Sequence, residues 1–174
     1  MSDRFTFEPG VSIRPAGPGD LEALFELDTA VFGEVAYPYF VLRQLFDLHR
    51  LCWLIAEGPP DHLRGYTLAV RCSDREGEPD EPTAWLIGLG VRETYRRKGC
   101  GRMLTEAALD MLTKDGVRIA KLTVEPDNDK AIALYRECGF VKTDDDGRDY
   151  FGKGHHRDIM AVRLPRGSAM HPPG

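Results

Sequence analysis

The run Arg96-Arg97-Lys98-Gly99-Cys100-Gly101-Arg102 sets four cationic side chains around two glycines. An apolar run, Ala84 to Val91, precedes it, and beyond it Met103, Leu104, Ala107, Ala108, Met111 and Leu112 recur at the spacing of one helical face. Strand, turn and helix start is therefore the expected arrangement. The first N–H groups of a helix have no intrahelical acceptor and the macrodipole adds partial positive charge, so an anion placed there gains hydrogen bonds and field together. Gly99 and Gly101 let a backbone approach a diphosphate closely, and Arg96, Arg97, Lys98 and Arg102 add full charges. Other glycine loops fit less well: there is no G-x-x-x-x-G-K-[ST], and no third glycine completes a dinucleotide fingerprint. A basic, solvated helix start without function is the plain alternative.

A second landmark lies downstream, Asn128-x-x-Ala131-x-x-x-Tyr135-x-x-x-Gly139-Phe140. Together with Arg96-x-x-Gly99-x-Gly101 after a buried strand, it resembles the acetyl-CoA-dependent GNAT superfamily. The resemblance covers roughly Ser12 to Leu164 and is nearest to the subfamily that acetylates protein N-termini, including ribosomal proteins. Arg148-Asp149-Tyr150-Phe151 followed by Ile159-Met160 is also similar to that subfamily's last hairpin.

The resemblance implies acetyl-CoA as cofactor, its pyrophosphate on residues Arg96, Arg97, Lys98, Gly99, Cys100, Gly101 and Arg102. It implies that the main chain of Leu89, Gly90 and Val91 pairs with the pantetheine amides, where strand N–H groups can also stabilise an oxyanion; the side chains of Leu89 and Val91 are expected in the core. Asn128 is expected to bond the cofactor arm or to cap its helix. Tyr135 reads either as a core aromatic or as the proton donor to the departing CoA sulfur. A thiol of pKa ~8.5 leaves tolerably even as thiolate, so a phenol of pKa ~10 assists without being indispensable.

The base is less legible. Relatives often carry Glu or His on the strand before the asparagine, where this chain has Thr123, which cannot serve. Glu125, His155, His156 and Glu34 are candidates, and relay through water is equally credible. For the acceptor groove the resemblance implies walls at Phe32 to Tyr39 and at Tyr150 to His156, with Phe32, Glu34, Tyr37, Tyr150 and His155 as binding residues. Tyr37, Tyr39, Tyr150 and Phe151 can line a peptide or enclose a cationic amine, and core packing is the alternative for them. The implied acceptor is a primary amine: a protein N-terminus or lysine, or a small molecule such as an antibiotic, polyamine or amino acid. The missing base also leaves open a non-catalytic acyl-CoA-binding module.

Positioning these groups requires an ordinary globular chain: 174 residues, 42% hydrophobic and 29% charged, are enough for one domain with a sizeable core. The net charge of −5 argues against a nucleic-acid partner and suits a cationic amine, although much of the excess lies in two acidic loops, Asp74 to Glu81 and Asp144 to Asp149. With no long apolar stretch and no apolar core in the N-terminal segment, a cytoplasmic location without membrane contact is expected. Cys52, Cys72, Cys100 and Cys138 are widely spaced, which speaks against structural zinc and a disulfide framework; no metal site is expected.

Pattern and punctuation predict the order β-α-α-β-β-β-α-β-α-β-β. Leu21, Leu24, Phe25, Val31 and Phe32 form the inward face of the first helix, with Asp20 as its cap, and a second helix runs from Pro38 to about Leu48. The fold class is α/β (α+β): a mixed, mostly antiparallel sheet with a splayed parallel central pair and about four helices, in a single domain over residues 11–164. Residues 1–10 and 165–174 are expected to be tails, and the state a monomer or homodimer.

Overall fold

Alternating and helical apolar periods sort into seven strands and four α-helices in a computed structural model that describes residues 10–49, 53–60, 63–72 and 81–165. The elements are β1 (Ser12–Pro15), α1 (Leu21–Phe32), α2 (Tyr39–His49), β2 (Trp53–Glu57), β3 (Leu63–Arg71), β4 (Thr83–Val91), α3 (Cys100–Lys114), β5 (Ile119–Val124), α4 (Asp129–Glu137), β6 (Val141–Lys142) and β7 (Asp158–Arg163). This is the expected order. The tails expected at 1–10 and 165–174, apart from Gly10 and Pro165, lie outside the described residues, as do Cys52 and most of the Asp74 to Glu81 loop. Among the described residues no helix is long and apolar enough to cross a membrane.

The strands are ordered β1-β2-β3-β4-β5-β7-β6 in a mixed sheet; the chain divides into two compact units, described in turn. The first unit comprises residues 1–69 and 88–108, with strand order β1-β2-β3-β4. Its β1 and β2 pair antiparallel from Ser12↔Glu57 to Pro15↔Leu54, and β2 and β3 form an antiparallel hairpin, from Trp53↔Leu68 to Glu57↔Leu63. Trp53, Tyr66, Leu24, Leu27, Leu42 and Leu104 are its buried centre. The ring of Trp53 lies 6.2 Å from Phe46 and 6.0 Å from Tyr66, the separation of packed aromatic pairs. Phe25 meets Tyr39 edge-on at 5.6 Å, which ties α1 to α2.

The inward face of α1 differs from expectation. Leu21, Leu24, Leu27 and Asp28 are its buried residues, whereas Val31 is half-buried and Phe32 is 37% exposed. The helix closes at Gly33, whose φ of 58° turns the chain away, so the last turn leaves the core. Nor does the Asp20 side chain cap α1; its carboxylate accepts the Gly17 N–H at 2.6 Å and pairs with Arg14 at 2.8 Å. Asp20 is thereby held below the usual carboxylate range, chiefly by Arg14.

The second unit comprises residues 70–87 and 109–174, with strand order β4-β5-β7-β6. Strands β4 and β5 are parallel, Thr83↔Ile119 to Leu86↔Leu122, as the strand-helix-strand pattern predicts. The ladder ends there while β4 itself continues to Val91. Strand β7 pairs antiparallel with β5 and β6. Ala84, Leu112, Val117, Ala120, Leu122, Phe140 and Met160 are buried in this unit.

Candidate functional site

In the first unit the chain leaves β4 through a 3₁₀ turn, Glu93–Tyr95, and enters α3 at Cys100. Tyr95 N–H donates to Arg92 O at 2.9 Å and Arg96 N–H to Glu93 O at 3.2 Å, which closes the turn. Tyr95 is buried and anchors it, with the Arg64 guanidinium stacked 4.5 Å from its ring centroid. Arg92 fastens the strand end: its N–H donates to Arg64 O at 2.9 Å and its Nε to Leu63 O at 2.7 Å.

After this anchor the backbone takes two left-handed residues, Arg97 at φ 61° and Gly99 at φ 81°. Left-handed residues in a turn of this kind can direct N–H groups toward one concavity, as in an anion nest. A positive φ is uncommon for an arginine, so it marks backbone strain held by its surroundings. The space over Gly99 is open, and Gly99, Arg97 and Lys98 are exposed. Gly101 lies in the first turn of α3, its carbonyl accepting the Thr105 hydroxyl at 2.8 Å, and Cys100 beside it is buried.

The four cations are not equivalent. Arg96 folds back, Nε donating to Val91 O at 3.1 Å, and Arg102 pairs with Glu106 at 2.8 Å. Lys98 lies over Tyr95 at 5.6 Å. The Arg97 side chain has no partner among the described residues. Upstream, Gly90 is buried while Leu89 and Val91 are only half-buried, a correction to their expected core placement. A Cβ on Gly90 would lie 2.7 Å from Cε1 of Tyr66, because that ring occupies the glycine face of β4.

The same unit holds the α1–α2 connection. Phe32 is partly exposed, Glu34 sits exposed in the Gly33–Val35 3₁₀ turn, and Tyr37 is half-buried. The Tyr37 N–H donates to Asp28 at 2.6 Å, and the Tyr66 hydroxyl donates to the other oxygen of the same carboxylate. Desolvation raises the pKa of Asp28 despite both bonds; burial, then the Asp28 charge, raises that of Tyr37. Sequence reading missed Asp28 and Tyr66. A polar residue among apolar ones on a helix face was the available signal.

In the second unit, β5 ends at Val124 and Pro126 begins a turn closed by Asn128 N–H to Glu125 O at 3.0 Å. Asn128 then caps α4, its side chain accepting from Ala131 N–H at 3.1 Å, one of the two roles expected for it. Tyr135 is half-buried, edge-on to Phe140 at 5.8 Å, and its hydroxyl has no hydrogen-bond partner among the described residues. Burial, with a smaller contribution from Cys138, pushes the phenol up to about 12. Thr123 pairs with Ile159 on β7.

Two of the base candidates, Glu125 and His156, have side-chain partners. Glu125 pairs with Arg157 at 3.2 Å, and His156 Nδ1 accepts the Asp149 N–H at 3.0 Å. His155 is exposed, and its main-chain N–H closes a turn onto Gly152 O at 2.9 Å. Tyr150 and Phe151 are 44% and 59% exposed, meet at 5.3 Å, and flank Trp85 and Arg157: Tyr150 lies 6.4 Å from Trp85, and Arg157 lies 4.6 Å over Phe151. They form a surface cluster, not a core.

Residues 21–140 match the family model described as the acetyltransferase (GNAT) family. The chain is 44% identical over 86 residues to the [ribosomal protein bS18]-alanine N-acetyltransferase of Escherichia coli K12, covering 49% of this chain and 57% of that protein. It is 38% identical over 145 residues to the mycothiol acetyltransferase of Paenarthrobacter aurescens, covering 79% of this chain and 44% of that one. Matches to the curated relatives span from 21% to 57% of their lengths. Among solved structures, a chain of the NatC complex bound to Gag peptide and CoA superposes with a TM-score of 0.76 at 21% identity, covering 90% of this chain and 99% of that one.

Proposed function

The chain belongs to the GNAT acetyltransferase family, and from that premise we propose that it transfers an acetyl group from acetyl-CoA to a primary amine by direct attack on the thioester. The observation that carries this reading is the turn with positive φ at Arg97 and Gly99, set between a buried anchor, Tyr95, and the start of α3. Two diphosphate charges suit its open N–H groups, the helix dipole and the unengaged Arg97. Arg96, Lys98, Cys100, Gly101 and Arg102 complete the cradle. Leu89, Gly90 and Val91, on the part of β4 beyond its ladder with β5, supply main-chain groups to the pantetheine, and Asn128 caps the helix that carries Tyr135.

In the reaction the neutral amine attacks the carbonyl carbon, the tetrahedral oxyanion accepts hydrogen bonds from strand N–H groups, and the C–S bond breaks. Tyr135 then donates its proton to the departing sulfur and regains one from water, while the amine's surplus proton leaves to water. A phenol raised to about 12 stays protonated and is a weak acid, enough for a thiolate that is already a fair leaving group.

The favoured acceptor is an α-amino group, as on a protein N-terminus. With Thr123 in place of a base, about a tenth of an amine of pKa ~8 is neutral at pH 7, roughly two hundred times the neutral share of a lysine at ~10.4. Phe32, Glu34 and Tyr37 on the α1–α2 connection are our candidates for acceptor contact, and Tyr150 and His155 before β7 are, separately, further candidates. The 145-residue match to a mycothiol acetyltransferase favours a second reading, a small-molecule amine. A screen of N-terminal peptides against small amines, following free thiol, decides between them; acetyl-CoA binding without amine-dependent thiol release would make the chain an acyl-CoA-binding module instead.

A further inference from the structure

Asp28 is a fully buried carboxylate on α1, a placement that an apolar residue would fill at less desolvation cost. Its two oxygens serve different elements. One takes the main-chain N–H of Tyr37, the last residue but one before α2; the other takes the hydroxyl of Tyr66 on β3, itself 1% exposed. The Tyr66 ring is immobilised in turn, by Trp53 at 6.0 Å and by β4, where a Cβ at Gly88 or Gly90 would come within 3.1 or 2.7 Å of it.

This chain of groups joins two things a substrate would meet. The Gly33–Val35 turn, with Phe32, Glu34 and Val35 exposed, is closed internally by Ala36 N–H to Gly33 O at 3.2 Å, but its return toward α2 is tied down at Tyr37 by Asp28. Tyr66 rests on the glycines of β4. Both ends of the network are rigid elements, and the connection between α1 and α2 is the part with few buried side chains.

We propose that Asp28 is a positioning residue that fixes the α1–α2 connection, through Tyr37 and Tyr66, against the Gly88–Gly90 stretch of β4, and so governs binding of the amine acceptor and not of the cofactor. This rests on the acetyl-transfer reading for its consequence, while the anchoring itself does not.

The test uses full-length Asp28→Ala, Asp28→Asn and Tyr66→Phe. Hydrogen exchange without substrates reads the anchoring, and steady-state kinetics with an amine that the wild type acetylates, plus calorimetry with CoA, read its consequence. In Asp28→Ala, exchange at Tyr37 and the preceding turn should accelerate by about tenfold or more, acceptor KM should rise by about tenfold, and kcat and the CoA dissociation constant should change by less than about threefold. Asp28→Asn keeps an oxygen for the Tyr37 N–H and should restore most of the loss. Tyr66→Phe removes only a hydroxyl and should show the same pattern more weakly, which keeps the test decisive if Asp28→Ala does not fold. Unchanged exchange and KM in folded variants, or parallel losses of acceptor and CoA binding that Asn does not rescue, would overturn the inference. Wild-type protein without amine-dependent turnover would instead remove the acetyl-transfer reading, and the exchange data would still decide the anchoring.

Discussion

The carboxylate of Glu125 lies 3.2 Å from Nη2 of Arg157, joining the end of β5 to the start of β7. A group paired in this way holds the last connection in place more readily than it collects a proton from an amine. Glu125→Gln, His155→Ala and His156→Ala should therefore each lower kcat/KM by less than about tenfold. With no single strong base, kcat/KM should keep rising with pH toward the acceptor amine's own pKa, about 8 for an α-amino group. A limb near pH 6 to 7 that vanishes in only one variant would identify a base.

Tyr135 is expected to act through its proton. Tyr135→Phe should lower kcat by ~10- to 1000-fold, with the CoA dissociation constant nearly unchanged, because the ring still packs on Phe140. Single-turnover kinetics check that chemistry is being read. The phenol, pushed up to about 12, should produce no falling limb in kcat between pH 7 and 10. Its folded pKa lies above the unfolded value, so its stability contribution is complete below about pH 10 and is lost as pH rises toward about 12. An unaltered kcat would assign Tyr135 to packing.

Gly101→Glu should abolish CoA binding while the domain stays folded, since a carboxylate in the first turn of α3 meets the pyrophosphate with like charge. Calorimetry with CoA and a thermal melt on the same sample check both halves. Unchanged affinity in a folded variant would move the phosphate site elsewhere.

The β4–α3 turn was legible in the sequence because backbone geometry is written there in residue type: Gly99 takes a positive φ, and an apolar strand pattern runs into it and a helical one out of it. Asn128 was legible for a similar reason, since capping is a local act between positions three apart. Asp28 was not, because a buried carboxylate depends on a partner such as Tyr66 that lies 38 residues away in sequence. The burial of α1 was misassigned at Val31 and Phe32 for a different reason. Helical periodicity continues to the last turn, but the chain reverses at Gly33 just beyond it, so Val31 and Phe32 sit at the end of the helix and are only partly covered.

The central claim is tested most directly by incubating the protein with acetyl-CoA and a panel of N-terminal peptides and small amines, then quantifying free CoA and acetylated amine in the same sample. Acetyl transfer predicts at least one amine for which both products appear in equal amounts, and neither without the amine. Acetyl-CoA binding with no acetylated product from any amine, or thiol release indifferent to the amine, would contradict it.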